Sequence, residues 1–200
     1  MKRAVSFLTI VLLCGLTHLF AEDGGLVFEV DGIYYVTADG SNAYVTTNFK
    51  GEYFGNVIIP SKVTYGYGYT YNVIGISSKA FQRCNKLTSV IIPESVTSIA
   101  DNTFYGCKSL ISITIPESVT SIGYQAFYDC ESLISITIPD SVTSIGYQAF
   151  FGCSSLTSIT ILESVTSIAD YTFYSCRGLT SVTIPKSVTS IGDYAFQGCI

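Results

Sequence analysis

Cysteine and histidine are the residue types best able to do chemistry in this chain, and their positions limit what that chemistry could be. The sequence has 7 cysteines and 1 histidine, His18. Six of the cysteines recur every 23 residues, at Cys84, Cys107, Cys130, Cys153, Cys176 and Cys199. No two of them form a Cys-x-x-Cys pair, so the spacing does not indicate a zinc site.

Six evenly spaced cysteines would suggest disulfides if the protein is exported. Stacked repeats would bring successive cysteines to about 4.8 Å, within the Cα range of a disulfide. Parallel stacking, however, points the Cβ atoms in the same direction, which is wrong for a bridge. We therefore predict an unpaired ladder in the core, where free cysteine behaves as a small hydrophobic residue.

Residues 1–21 have the pattern of a secretory signal peptide. Lys2 and Arg3 form a basic start, an apolar run too short to span a bilayer follows, and Ala21 offers a small residue for cleavage. Cleavage would remove His18 and leave a mature chain without histidine. This excludes Ser-His-Asp and Cys-His catalysis and the common histidine metal sites, so we predict no enzymatic activity and no cofactor.

The predicted mature chain is acidic. Loss of Lys2 and Arg3 from the 10 basic residues leaves 8 against 15 acidic residues, a formal charge of about −7. Proteins that bind the phosphate backbone rely on Lys and Arg, so nucleic acid is not an expected partner. No second segment is apolar over a length that would cross a membrane. We predict a protein that is secreted or attached to the cell surface.

Serine and threonine recur at two positions that should point outward from successive repeat strands. They would form two columns of hydroxyl groups on one sheet face: Ser89, Ser112, Thr114, Ser135, Thr137, Ser158, Thr160, Ser181 and Thr183. We call these nine residues the hydroxyl face. Its flat polar surface is a candidate site for a protein or glycan ligand. The alternative is that these polar, strand-favouring residues only keep an exposed sheet soluble.

A tyrosine-rich insertion interrupts the first repeat. From Pro60 to Pro93 the spacing is 33 residues instead of 23. Within 63–72, tyrosine alternates with glycine or threonine, which predicts a hairpin with its turn near Gly66–Gly68. Tyrosine provides a large, rigid contact at low entropic cost, so this hairpin is a second candidate binding element. The residues are Tyr65, Tyr67, Tyr69 and Tyr71. The alternative is that they fold back over the first repeat as part of a cap.

A column of acidic residues follows the predicted strands and is broken by one lysine. Its members are Glu94, Glu117, Asp140, Glu163 and Lys186. Stacked carboxylates could recruit calcium. We interpret the column instead as a solvated rim.

The elements that position these residues follow from the 23-residue period, which extends from Val73 to the end of the chain. A fixed period of this length predicts a solenoid in which each repeat is one coil stacked on the next. In the coil 133–154, Leu133, Ile136 and Ile138 mark the inward side of a strand that Pro139 ends. A second short extended segment and a short helical turn starting at Gln148 should complete the coil.

The region before the repeats should be a β cap over residues 22–55. Strands are predicted at 26–30, 33–36 and 43–46, with turns at Asp31-Gly32 and Asp39-Gly40. Such a cap covers the apolar core and open backbone edges at the end of a solenoid. The solenoid then covers 56–200, with an incomplete last coil.

The repeat I-P-x-S-V-T-S-I-G-x-x-A-F-x-x-C-x-S-L-x-S-I, read from Ile115 to Ile136, closely resembles the BspA-like class of leucine-rich repeats. The match covers 56–200. The resemblance implies a mostly β, right-handed leucine-rich-repeat solenoid with a β-sheet on one face, in a surface or secreted protein. Family members are often implicated in adhesion to host proteins or to other cells. The family has no universal site motif that could be transferred to this chain.

These observations predict a non-enzymatic module that binds or adheres to an extracellular protein or glycan. The alternative is a structural spacer in a longer surface repeat protein, without a ligand of its own. The sequence stops at Cys199-Ile200 in mid-coil, which favours that alternative.

Overall fold

The computed structural model describes residues 24–48 and 51–200, together with the backbone of 9–13 and 16–20. The described residues form strands and turns without a helix. The strands are β1 (Thr9–Leu13), β2 (Leu16–Phe20), β3 (Leu26–Val30), β4 (Ile33–Thr37), β5 (Asn42–Val45), β6 (Phe54–Ile58), β7 (Lys62–Tyr65), β8 (Tyr69–Ile76), β9 (Lys86–Ile91), β10 (Ser98–Ile99), β11 (Ser112–Thr114), β12 (Ser121–Ile122), β13 (Ser144–Ile145), β14 (Ser158–Thr160), β15 (Ser167–Ile168), β16 (Ser181–Thr183) and β17 (Ser190–Ile191).

The coils stack their strands in two parallel columns. The first column runs through β6, β9 and β11, continues as a bridge from Ser135 to Ser158, and ends with β14 and β16. The second column contains β10, β12 and β13, followed by β15 and β17. Equivalent residues pair in register, so that Ser112 lies beside Ser89 and Ile145 beside Ile122. This confirms the solenoid.

The coil follows from its apolar spacing and its turns. Leu133, Ile136 and Ile138 of one coil are buried, as are Val142 and Ile145 of its second extended segment. Proline closes every first-column strand except one, and the next turn returns the chain, with the Val142 amide donating to the Pro139 carbonyl over 3.1 Å. Leu162 replaces this proline in one coil and keeps the turn, because the Val165 amide donates to the Leu162 carbonyl over 3.0 Å.

The predicted short helical turn at Gln148 is instead a series of tight turns. Gln148 lies in the left-handed region at φ 56°, and Gly152 follows at φ 71°. A right-handed helix cannot pass through such residues, so the chain bends at each of them. The first of these positions recurs in every coil with a positive φ, at Lys79, Asn102, Gln125, Gln148, Tyr171 and Tyr194.

The core consists of ladders of identical side chains. Phe81, Phe104, Phe127, Phe150 and Phe173 are fully buried. Their rings stack with centroids 5.1–5.4 Å apart, near the separation of stacked strands. The backbone also connects the coils here, since the Phe127 amide donates to the Ala149 carbonyl over 2.8 Å. Each coil therefore buries its apolar face only against its neighbours.

The N-terminal strands form one sheet, in the order β1-β2-β3-β4-β5-β8-β7. The predicted hairpin turn is confirmed, with Val30 paired to Ile33 and both Asp31 and Gly32 at positive φ. The turn after Asp39 is also present, where the Asp39 carboxylate accepts hydrogen bonds from the Ser41 and Asn42 amides. β5 pairs in parallel with β8, and β8 lies against β10, which places the sheet over the end of the second column.

Two strands, β1 and β2, fall within the predicted signal peptide, where they pair antiparallel with each other, and β2 pairs antiparallel with β3. The remainder of that segment lies outside the described residues. Among the described residues, no helix has the length and apolar character needed to span a bilayer.

Candidate binding surface

The hydroxyl face lies on the outer side of the first column. Eight of its nine residues are exposed, and Ser89 is half-buried. The inward neighbours Ile113, Ile136 and Ile159 are buried, so the strand pleat alone separates core from surface. The structure thus brings all nine predicted residues onto one continuous sheet face.

Some hydroxyl groups of the coils form hydrogen bonds between neighbouring coils. In the second extended segment, the Ser141 hydroxyl donates to the Val119 carbonyl over 2.6 Å, and the same bond joins Ser118 to Val96. These hydroxyls connect one coil to the next. On the hydroxyl face, only Ser89 makes such a contact, to the Asn56 side chain over 2.8 Å. Across the described part of the chain, the other eight hydroxyls bond to no protein group.

Sequence reasoning missed an apolar region at the N-terminal end of the same sheet face. Phe54 is 73% exposed and Ile58 is 65% exposed, both on β6. Ile91 of β9 extends this region along the face, and Ile111 and Ile134, which directly precede the first-column positions Ser112 and Ser135, are exposed as well. The signal was present in the sequence, because Ile91 occupies a hydroxyl column and Ile134 follows the buried Leu133 of its coil.

The tyrosine hairpin forms as predicted, from β7 and β8 with Tyr65 paired to Tyr69. Its four tyrosines divide between the two alternatives. Tyr65 and Tyr71 face inward, with ring centroids 4.7 and 5.3 Å from that of Phe28 in the cap. Tyr67 and Tyr69 project outward, with 92% and 66% of their surface exposed. Only these last two remain available to a ligand.

A groove of about 730 Å³ lies next to β6. The β3–β4 turn, β6 and the start of β7 line it. Its floor is apolar and buried and includes Ile33, Val57 and Val63. Tyr53 closes one side, where its buried hydroxyl accepts from the Tyr34 amide over 3.1 Å and donates to the Thr46 carbonyl over 2.6 Å.

The cysteines lie where the ladder prediction puts them. Cys84 to Cys176 are buried, Cys199 is half-buried, and all six are free thiols. The Cys130 thiol donates to the Phe104 carbonyl of the preceding coil over 3.2 Å, and Cys153 bonds to Phe127 in the same way. Burial raises the pKa of the Cys84 thiol to about 11 and of the Cys176 thiol to about 12. These groups contain almost no thiolate at neutral pH and are poor nucleophiles.

A second aromatic row, also missed, runs along the turns. Tyr105, Tyr128, Phe151 and Tyr174 stack in sequence with centroids 4.6–4.8 Å apart and are partly exposed. Because each ring covers the face of the next, the ring faces inside the row are shielded from solvent. Recurrence of aromatic residues every 23 positions was the available signal.

The acidic column is an exposed rim, and Lys186 at its end is exposed as well. The described residues contain no group of three or more His, Cys, Asp or Glu side chains placed to hold a metal ion.

Comparisons with known proteins agree with this architecture. A family model described as BspA type leucine rich repeat region matches residues 74–200 in six copies. A Treponema pallidum leucine-rich repeat protein, TpLRR, has 27% identity and a TM-score of 0.70, over 86% of this chain and 88% of its own. A Bacteroides ovatus leucine-rich repeat protein has 30% identity and a TM-score of 0.56, over 86% of this chain and 57% of its own.

The pneumococcal vaccine antigen PcpA has 25% identity and a TM-score of 0.66, over 88% of this chain and 48% of its own. The chain therefore spans about half the length of two of these structures. No curated protein matches it.

Proposed function

We propose a binding role for this chain, which belongs to the BspA-type leucine-rich repeat family: it is an exported, non-enzymatic module that captures an extracellular protein or glycan on its hydroxyl face. The observation that carries the proposal is the contrast between the two kinds of hydroxyl group. The Ser118 and Ser141 hydroxyls join neighbouring coils, whereas eight hydroxyls on the hydroxyl face are exposed and form no hydrogen bond within the described protein.

The geometry of the face suits an extended ligand. Paired strands lie about 4.8 Å apart, so equivalent hydroxyls repeat at that distance along the stack. A hydroxyl group can both donate and accept a hydrogen bond, which matches the hydroxyls of a glycan and the polar groups of a protein surface. The rigid, stacked coils hold these groups in place before binding, which reduces the entropic penalty of ordering them.

The export and the surface location are part of this proposal. They are supported by the signal-peptide pattern of residues 1–21 and by membership of the repeat family.

The test is capture of the predicted mature chain, from Glu22 onward, by immobilised extracellular-matrix proteins and glycans. The variant Ser135→Glu/Thr137→Glu adds two charges to the centre of the face, where both residues are exposed. We expect capture to fall at least tenfold, because the bound ligand would desolvate these charges without pairing them. Circular dichroism confirms that the variant is folded.

The matched control is Ser144→Glu/Ser167→Glu, which adds the same charge to exposed positions of the second column. Capture that falls equally in both variants would reflect net charge and count against the hydroxyl face. Selective capture that survives the Ser135/Thr137 change would also refute this site. Absence of capture by any surface would favour the alternative, a spacer without its own ligand.

A further inference from the structure

The cap closes only one of the two strand columns. β8 lies against β10, the first strand of the second column, and β5 pairs in parallel with β8, so the cap sheet covers this column. β6 begins the first column and pairs only with β9. Among the described residues, no strand lies against the other edge of β6. We call this the open edge.

The backbone groups at the open edge can be identified from the pairing. The Ile59 amide donates to the Ile91 carbonyl over 3.0 Å, toward β9. Backbone groups alternate in direction along a strand, so Val57 also bonds toward β9, while Asn56 and Ile58 point their amides and carbonyls away from it. In the described part of the chain, these groups have no backbone partner. An unpaired edge of this kind is a template for a further strand.

The open edge borders the 730 Å³ groove, and β7 also lines this groove. β7 is the terminal strand of the seven-stranded sheet and pairs only with β8. Lys62, Val63 and Thr64 of β7 line the groove together with Asn56 and Ile58 of β6. Two edge strands from different sheets therefore face one cavity with an apolar floor.

The exposed side chains of β6 determine which side chains a bound peptide needs. Phe54, Asn56 and Ile58 lie on the outer face, and Phe54 and Ile58 are among the most exposed large apolar residues described. A strand added at the open edge would place alternate side chains directly beside them. Apolar β-branched or aromatic side chains give the most favourable cross-strand pairs there.

We propose that this groove binds an extended peptide segment of a partner protein, which adds to β6 as a further strand. The peptide backbone pairs with the Asn56 and Ile58 amides and carbonyls, and its alternate apolar side chains cover Phe54 and Ile58. A glycan lacks the alternating N–H and C=O groups that this edge requires. The site differs from the hydroxyl face and does not depend on it.

The experiment begins with selection of a displayed random octapeptide library on the immobilised purified protein. The most enriched peptide is then synthesised with a fluorescent label, and its Kd is measured by fluorescence anisotropy. We expect enriched sequences to alternate apolar with polar residues. N-methylation of one central amide of the peptide should weaken binding about tenfold, in line with loss of a backbone hydrogen bond in a desolvated site.

Two variants of the protein test the assignment to β6. Ile58→Pro removes the amide hydrogen that points to the open edge and keeps the hydrogen bonds between β6 and β9. It should weaken peptide binding about tenfold or more. Phe54→Thr/Ile58→Thr changes only side chains and keeps every backbone amide of β6, and it should also weaken peptide binding. This variant tests the proposal even if the proline variant does not fold. Ile134→Thr is the control, because this isoleucine is also exposed but belongs to a later coil, away from the open edge.

Three results would overturn the proposal. They are a selection without an enriched peptide, binding that both β6 variants leave unchanged, and binding that Ile134→Thr weakens as much as the β6 variants do. A fourth contrary result would come from sedimentation of the purified protein. If the protein is a dimer and Ile58→Pro converts it to a monomer, a second copy of the chain occupies the groove.

Discussion

The regular coils and the N-terminal region bury their aromatic side chains in different ways. In the coils, Phe127 stacks between Phe104 and Phe150, and its environment repeats in the coils on either side. In the N-terminal region, Phe28 packs against three different rings, Tyr35, Tyr65 and Tyr71. Repetition produces ladders of equivalent side chains. The non-repeating packing leaves the groove and the open edge, the features that a specific partner could recognise.

The largest expected effect comes from breaking the phenylalanine ladder. Phe127→Ala should lower the free energy of unfolding by about 3–5 kcal/mol, because the ring is fully buried and its loss leaves a cavity between two coils. Denaturant unfolding followed by circular dichroism measures this.

Phe28→Ala is the matched change in the N-terminal region, where the ring is also buried. Since coils interact only with their neighbours, hydrogen exchange should show its effect confined to residues 24–76. Faster exchange throughout the solenoid would contradict this separation of the two regions.

A smaller effect is expected at the hydroxyl of Tyr53. Tyr53→Phe leaves the buried Tyr34 amide and the Thr46 carbonyl without this partner, which should reduce stability by about 1–3 kcal/mol. Thermal unfolding provides the measurement. Tyr67→Phe is the control, since its hydroxyl lies on a side chain that is 92% exposed, and it should leave the melting temperature unchanged.

The β3–β4 turn should be sensitive to backbone conformation. Gly32 has φ +79°, so Gly32→Ala should reduce stability by about 1 kcal/mol, the penalty for a left-handed residue with a side chain. Open space surrounds a Cβ at this position, so strain and not a clash is responsible. Gly40→Ala, where a Cβ also meets open space and φ is not in the left-handed region, should have little effect.

The smallest effect should come from Asp129 in the regular coils. Burial, together with the nearby Glu131 carboxylate, raises the pKa of Asp129. Because the pKa of this carboxyl group is higher in the folded than in the unfolded state, the free energy of unfolding falls as pH rises from the unfolded-state pKa through the folded-state pKa. Asp129→Asn removes the penalty and keeps the left-handed conformation that asparagine tolerates.

We therefore expect a small rise in the melting temperature of Asp129→Asn at pH 7. The gain should disappear below the ordinary carboxyl pKa of about 3.9, where the wild-type group is protonated in both states. Asp140→Asn, on the exposed rim, is the comparison and should show little change. A gain at Asp129 that persists in acid would point to a packing effect instead.

The repeat and its inward ladders were predictable because local spacing reports burial directly. Phe127, Cys130 and Leu133 recur every 23 residues and are fully buried. The hydroxyl face followed from the same alternation. The prediction of a helical turn was wrong because the residue types Gln148 and Tyr171 do not indicate a left-handed backbone conformation. Both residues nevertheless adopt one, at φ 56°.

By itself, the sequence determined the stacking period, the residues inside each coil, the unpaired cysteine ladder and the turn at Asp31-Gly32. These features depend on contacts within a coil or between equivalent residues of neighbouring coils. Only the tertiary structure decided that Tyr65 and Tyr71 pack on Phe28 while Tyr67 and Tyr69 face solvent. It also decided that the cap pairs Val45 with Ile76 and leaves β6 open. Whether a strand edge is paired depends on which distant segment lies beside it, and hydrophobic periodicity carries no information about that choice.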